Sequence, residues 1–449
     1  MRISCPLAAA VLLAAAAVAS PAAADGPRLT LAELTARAQA GPRAKMARSE
    51  SEAARARVNE VGSALFPRVT ATAFAGPSPS ITCADAGCDA TDPDGFAWSV
   101  DGLWTGASLD IVQPIYAYGK AGPARRAARA GVAAMQALED ESAGDVAVEA
   151  ARAYWGLKLA RELRYMLEDG IDQLESARER LIERVAEGTG EVTIQDQRRL
   201  ETIIAEATIQ LQDATQGEEI ALASVRALAG DDTADIDDEP IEPIAYELAT
   251  EEAYLGRAGT RRPQVIAAAE GARAAHALAD LEASEYWPLL TLNGSLVYAD
   301  AAGVEDPRHT IFDDPYHRSR VSLLLTLTWK LEPWTTRTRV ARARAAARKA
   351  TALADLAKVG ATLDQRTAYT EAVRARKRMD AATAGETAAR AWVASLVQAD
   401  AIGAAEPKEL AEAYLGWFGM RARLANAIQQ WNVAAVKLER AAGGYQAPN

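Results

Sequence analysis

Histidine, cysteine and aromatic residues are all scarce in this sequence, and each shortage removes a class of function. Only three histidines occur in 449 residues, His276, His309 and His317. None has a partner at the spacing of a metal site or a catalytic triad. Gly188-Thr189-Gly190 is not followed by the Gly-Lys-Ser/Thr of a phosphate loop. Asp313, Asp314 and the aspartates of 85–94 offer at most weak calcium ligands in exposed loops. The sequence therefore predicts no enzyme, no cofactor and no metal centre. Positive charge is also short. The net charge is −12, which argues against nucleic acid as a partner, since nucleic acid selects a basic face. Beyond the first two dozen residues no stretch approaches ~18 consecutive apolar residues, so no membrane-spanning helix is expected. A membrane role would have to come from strands. Aromatics make up 6% of the chain while alanine abounds, so its helices can approach closely but each buries little area.

The first 24 residues read as an export signal. Met1-Arg2 supplies the positive start, Leu7 to Val18 is a short apolar run, and Ala22-Ala23-Ala24 is a cleavage site. The mature start is expected near Asp25. Cys5 precedes the apolar run, which argues against lipoprotein processing. Cys83 and Cys88 remain, in a turn-like stretch. In an exported chain a small disulfide loop is the default reading; a metal site, with no histidine nearby, is the alternative.

Residues 25–230 read as helix, two strands and two long helices. Thr30-Leu-Ala-Glu33 is a capping box, and helical sequence resumes after Gly41-Pro42 through about Ser63. Strands are expected at about 66–76, with Val69, Ala71 and Ala73 on one side, and at about 96–115, with Trp98, Val100, Gly102 and Trp104 on one side. The alternation blurs at Leu109–Val112, where a bulge fits. Turn material lies between the strands, from the cysteine loop to Asp92-Pro-Asp-Gly95. Helices are expected over about 121–187 and 192–228. In the first, Leu159, Leu163, Met166, Gly170, Leu174, Ala177, Leu181 and Val185 form a helix stripe. At ~1.5 Å per residue it would reach roughly 100 Å, longer than a compact domain can use. An acidic stretch from Asp231 to Glu242 reads as a linker, set within 231–248.

The order then recurs over 249–442, before a tail at 443–449. Pro42 and Pro67 stand at the same interval as Pro263 and Pro288. Strands are expected at about 288–299 and 318–332. Leu290, Leu292, Gly294, Leu296 and Tyr298 alternate with Thr291, Asn293 and Ser295. Val321, Leu323, Leu325, Leu327, Trp329 and Leu331 alternate with Ser322, Leu324, Thr326, Thr328, Lys330 and Glu332. Helices follow at about 334–399 and 405–442. The sequence is thus read as an internal tandem duplication.

Four strands cannot close a barrel, and an open apolar sheet would aggregate. Alternating Leu and Trp with Ser, Thr, Lys and Glu suits one face to lipid and the other to water. Trp104, Tyr116, Tyr286, Trp287, Trp329 and Trp334 stand near strand ends, as membrane-interface anchors do. Two chains would give eight strands and a filled interior; three would give twelve and a channel. The competing reading is a periplasmic helical structural or interaction protein without a pore, two hairpins packed on a coiled coil.

Three marks, in order and twice over, carry a resemblance to the TolC-like outer-membrane factor family. They are the Pro-led strand at Pro67 and Pro288, the passage Leu109-Asp-Ile-Val-Gln-Pro-Ile-Tyr-Ala-Tyr-Gly-Lys120, and the helix–helix turn Gly190-Glu-Val-Thr193-Ile-Gln-Asp196 with its equivalent Gly403-Ala-Ala-Glu406-Pro-Lys-Glu409. The second copy departs from the pattern, with Glu406 for the Ser/Thr, Pro407 after it, and Thr335-Thr336 where the first has Tyr118-Gly119. The resemblance implies a mixed α/β membrane protein. Four strands per chain would complete a trimeric twelve-stranded transmembrane β-barrel, continued by a long periplasmic α-helical barrel.

The function it implies is a passive exit duct of a tripartite efflux pump or type I secretion system. Its implied partners are a homotrimer, outer-membrane lipid, a periplasmic adaptor and an inner-membrane transporter. Glu409 and Glu412 would form aperture carboxylate rings; a solvated acidic first turn complementing the helix dipole is the plainer alternative. Gly188, Gly190, Thr193, Asp196, Gly403 and Glu406 would receive the adaptor, though turn glycines are more often only turn glycines.

Overall fold

The structure, a computed structural model, describes residues 26–83, 96–187, 193–302, 316–401 and 407–444. The expected export signal and Cys88 lie outside them. Two compact units emerge, Met1–Arg37 with Ala153–Ile241, and Ala38–Arg152 with Glu242–Asn449. In chain order the elements are β1 (Arg28–Leu29), α1 (Leu31–Gln39), α2 (Pro42–Ser63), β2 (Arg68–Cys83), β3 (Phe96–Tyr116), α3 (Ala121–Glu187), α4 (Ile194–Ala229), β4 (Asp235–Ile236), α5 (Glu251–Arg261), α6 (Pro263–Ala283), β5 (Leu289–Ala302), β6 (Arg318–Thr328), α7 (Pro333–Ala401) and α8 (Pro407–Ala441). Among the described residues no helix is long and apolar enough to cross a membrane.

In the first unit, the Thr30 capping box opens α1. Thr30 N donates to Glu33 Oε2 at 2.9 Å, and Glu33 N donates to Thr30 Oγ1 at 3.3 Å, satisfying two amides that the first turn leaves orphaned. Leu174, Leu200 and Ile204 pack together, joining α3 to α4, with Ala177, Leu181, Ile203 and Ala207 around them. Gly230 closes α4 in the left-handed region (φ 64°), its N–H returning to Arg226 O; a residue with a Cβ would be strained there.

The acidic stretch after Gly230 was expected to be a linker, and the structure corrects this. Asp235–Ile236 forms β4 and pairs in parallel with β1. Ala234 and Ile236 are buried. The carboxylates meet cations and phenols of the same unit: Asp231 with Arg37 at 3.4 Å, Asp235 with Arg161 at 2.7 Å, Asp237 with Lys158 at 3.1 Å and with Tyr154 OH at 2.9 Å, and Asp238 with Tyr165 OH at 2.9 Å. A solvated acidic run and a charge-matched strap look alike in one dimension, because the matching cations lie far away in sequence.

In the second unit, α7 packs against α6 and α8. Its buried residues recur every seven positions, at Val340, Ala347, Ala354, Ala361, Ala368, Ala375 and Ala382. A sustained seven-residue repeat supercoils left-handed, and alanine at every step after Val340 lets the helices approach closely.

The second unit also holds a four-stranded sheet of order β2-β3-β5-β6, each neighbouring pair antiparallel. Its outer strands, β2 and β6, each keep one edge unpaired among the described residues. Three details depart from the sequence reading. β2 continues past Ala75 to Cys83, so Ser80–Cys83, expected as loop, pairs with Phe96–Ser99. Pro77 and Pro79 are accommodated within β2 because proline is tolerated in an edge strand. The bulge expected at Leu109–Val112 is not there; the register breaks between Ser78 and Ser80 and between Pro114 and Tyr116. Both breaks fall beside a proline, which has no N–H to give the ladder. β6 stops at Thr328, short of 332, because its partner β5 begins at Leu289, opposite Thr328.

Candidate functional site

The register sorts the sheet into two chemically distinct faces. One carries Val321, Leu323, Leu325 and Leu327 of β6, beside Leu296, Gly294, Leu292 and Leu290 of β5. Leu109 and Ile111 of β3 and Val69, Ala71 and Ala73 of β2 continue it. On β6 these large apolar groups are bare: Val321 is 78% exposed, Leu323 70% and Leu325 66%. A contiguous apolar face on a monomer marks a surface meant for lipid or for another protein. The other face carries Arg68, Thr70, Thr72, Ser108, Asp110, Thr291, Asn293, Ser295, Ser322 and Thr326. There Asn293 Nδ2 donates to Thr326 Oγ1 at 2.7 Å and to Thr291 Oγ1 at 3.2 Å. Leu324, Val112, Val297 and, toward the far end, Phe74 and Trp104 are apolar exceptions on this side.

The aromatics divide between two places. Tyr116, Tyr286, Trp287, Trp329 and Trp334 are exposed at the end of the sheet where the helices attach. Trp329 Nε1 donates to Tyr286 O at 3.1 Å, tying two of these chain ends together. Trp104, expected among them, sits toward the far end on the polar face, opposite Gly76 and Ala301. It meets Phe74 edge-on at 4.6 Å and Tyr316 at 5.6 Å. Gly106 makes room for this cluster, since a Cβ there would fall 2.4 Å from Phe74 Cζ.

Of the expected tip residues, Thr193 and Asp196 are engaged with each other. Thr193 N and Oγ1 donate to Asp196 Oδ2 at 3.0 and 2.6 Å, and Asp196 N donates back to Thr193 Oγ1 at 3.4 Å. This capping box sets where α4 begins. Glu409 lies in the first turn of α8 and Glu412 three residues on, one turn apart on one face. Both are exposed. Gly188, Gly190, Gly403 and Glu406 lie outside the described residues, and Cys83 is the last residue of β2.

Two sites escaped the sequence reading. Beneath the start of α8, Glu386 of α7 is buried and accepts from Trp417 Nε1 at 2.9 Å and from Arg390 Nε at 2.9 Å. Burial alone would push this carboxyl up. The bonds from Trp417 and Arg390, with the charge of Arg421, outweigh it and hold the group below its ordinary value. A signal was available: Gln365, Ala372, Met379, Glu386 and Val393 stand seven apart, so a carboxylate occupies a buried phase. The other site is Asn432, fully buried on α8. Its Nδ2 donates to Glu242 O at 2.8 Å, and its Oδ1 accepts from Ile244 N at 3.0 Å. Nearby, Tyr246 OH donates to Glu439 Oε1 at 2.6 Å and lies 2.7 Å from Tyr254 OH. Burial pushes the Tyr246 phenol up, and the Glu439 carboxylate adds to it.

Comparison with known proteins now bears on this arrangement. The family model described as outer membrane efflux protein matches residues 36–231 and again 254–444. No curated protein matches the sequence. Among solved structures, the outer-membrane channel OprN superposes with a TM-score of 0.72 at 19% identity, over 92% of this chain and 90% of its own. CusC, reported for conformational changes accompanying folding and channel formation, gives 0.74 at 13% identity, over 94% of each chain. The open state of the Neisseria gonorrhoeae MtrE channel gives 0.73 at 16%, over 92% and 89%. At such identities the likeness is one of fold. The family assignment rests on the matched segments, which span most of the chain: this protein belongs to the outer membrane efflux protein family, the TolC-like channels, and is a protein of the outer membrane.

Proposed function

We propose that three copies of this chain close a twelve-stranded barrel in the outer membrane and continue it as a periplasmic helical tunnel, forming the passive exit duct of a tripartite efflux pump or type I secretion system. The two-faced sheet with unpaired outer edges carries the reading. Its bare leucine face needs lipid, its polar face suits water, and its open edges need strands that the described residues do not supply. Three copies give twelve strands and leave a channel, whereas eight strands would fill with side chains. The recurring order helix, strand, strand, helix, helix, together with the two separate matches to one family model, supports an internal duplication. On this reading 25–230 and 249–442 are the two repeats, following an export signal at 1–24.

The starts of α4 and α8 are the helix–helix tips. There Thr193, Asp196, Gly188, Gly190, Gly403 and Glu406 would receive a periplasmic adaptor, itself coupled to an inner-membrane transporter. Glu409 and Glu412 from three copies would set two rings of carboxylates across the tunnel. Reconstitution in planar bilayers tests both parts. The duct produces discrete conductance steps, and Glu409→Gln with Glu412→Gln alters conductance, cation block or leak. An inserted protein without steps would remove the duct. Unchanged conductance, block and leak in the double variant would remove the carboxylate gate alone. A protein absent from the outer-membrane fraction would return the alternative of a periplasmic helical protein without a pore.

A further inference from the structure

The chain is acidic overall, yet the two helix starts next to the sheet, those of α3 and α7, are strongly cationic, whereas the helices that end there, α2 and α6, carry Glu60, Asp280 and Glu282. From Pro333 to Ala354 there is no Asp or Glu, while Arg337, Arg339, Arg342, Arg344, Arg348 and Lys349 crowd the first turns of α7. The start of α3 repeats this, with Arg125 and Arg129 and no acid before Glu139. Neither helix has an acidic residue in its first turn. Cations at a helix N-terminus oppose the helix dipole, so local helix stability does not explain them.

Pairing does not explain them either. Farther along the same unit, Arg257 and Arg262 meet Glu439 and Asp364, and Lys437 and Arg440 meet Glu371 and Glu141. By contrast, among the described residues Arg337, Arg342, Arg344, Arg348 and Lys349 have no carboxylate partner. All five are exposed. Another copy of the chain is a poor partner. The helix that precedes the open edge strand β2 is α2, which offers no excess of anions: with Arg43 and Arg48 spent on Asp145, Glu149 and Glu139, its Lys45, Arg55 and Arg57 balance Glu50, Glu52 and Glu60.

Position identifies the missing anion. α7 begins five residues after β6 ends, and the exposed Trp329 and Trp334 mark that boundary. At ~1.5 Å per residue Arg337 lies roughly 6 Å, and Arg344 roughly 16 Å, beyond Pro333. Long arginine side chains reach back toward an interface, and charges act over a Debye length of about 8–10 Å. The cations therefore fall where the apolar face of the sheet gives way to the headgroups of the leaflet nearest the helices. We propose that this basic collar binds the phosphates of anionic phospholipid in that leaflet. The inference rests on the sheet lying in the membrane as described above.

The test is native mass spectrometry of the full-length protein, delipidated and then offered phosphatidylglycerol or phosphatidylcholine. Wild type should retain several-fold more phosphatidylglycerol, and high salt should abolish the preference. Arg337, Arg342, Arg344 and Arg348 changed together to Gln should bring it to parity; changed together to Lys, they should keep it. Planar-bilayer conductance of each variant reports that it still folds. A conducting wild type with no phosphatidylglycerol preference would overturn the collar and leave the duct standing; a wild type that neither inserts nor conducts would overturn the duct. If inorganic phosphate strips the bound phosphatidylglycerol, the site is one for free phosphate and the lipid assignment fails. If the Gln variant shifts the cation-to-anion selectivity of the channel with lipid retention unchanged, the arginines line the lumen and the proposal fails.

Discussion

Ser322 and Leu323 are neighbours on β6 that the register places on opposite faces, and substituting each by Arg makes the sharpest test of those faces. Leu323 is 70% exposed, opposite Gly294 in the middle of the strand. If the face meets lipid, an arginine there costs ~2–4 kcal/mol per chain near the bilayer midplane. That is roughly a 30-fold to 1,000-fold loss in the folded-to-unfolded ratio, and each copy in an assembly bears it. If the face meets water, replacing an exposed leucine by arginine stays within about 0.5 kcal/mol. Ser322→Arg, facing the polar side, should cost little in either case. Urea unfolding in lipid vesicles, followed by tryptophan fluorescence, measures both. A Leu323→Arg protein as stable as wild type would refute the lipid assignment. A Ser322→Arg protein as damaged as Leu323→Arg would refute the sorting into two faces.

Other expectations follow from single contacts. Thr193→Ala removes the cap of α4 and should cost about 1 kcal/mol, seen as faster amide exchange confined to the first turn of α4. Arg161→Ala leaves Asp235 without its cation, while Arg164 still holds Glu218; it should cost about 1–3 kcal/mol and expose 231–242 to protease before global unfolding. The Glu386 carboxyl is held below its ordinary value of 4.5, so its stabilisation is complete above that range and is lost as pH falls through the lower folded value. Trp417→Phe removes one donor and should start acid destabilisation at a higher pH, whereas Glu386→Gln should flatten the acid limb of thermal stability against pH.

The strands and long helices were legible because each follows one periodic rule. The alternation from Val321 to Leu327 and from Leu290 to Tyr298 matches the observed register residue by residue. The end of β2 was not legible, because nothing local in Ser80–Cys83 shows that it pairs with Phe96–Ser99. Spacing assigned Trp104 a side of β3 but could not reveal its ring contacts with Phe74 and Tyr316. The acidic strap misled because the residues that neutralise it, Arg37, Lys158 and Arg161, are distant in sequence and near only after folding. Glu386 needed the seven-residue phase of α7, which shows once its buried alanines are known.

The central claim is that the four-stranded sheet is one third of a closed wall, so that β2 of one copy meets β6 of the next. Disulfide trapping tests it in a Cys83→Ser, Cys88→Ser chain carrying Thr70→Cys on β2 together with Ser322→Cys, Leu324→Cys or Thr326→Cys on β6. All of these positions lie on the polar face. Oxidation of the membrane-inserted protein should give bands of one, two and three chains for the matched pair, and nothing larger. No cross-linking for any pair, a ladder that ends at two, or one that runs past three would contradict the account.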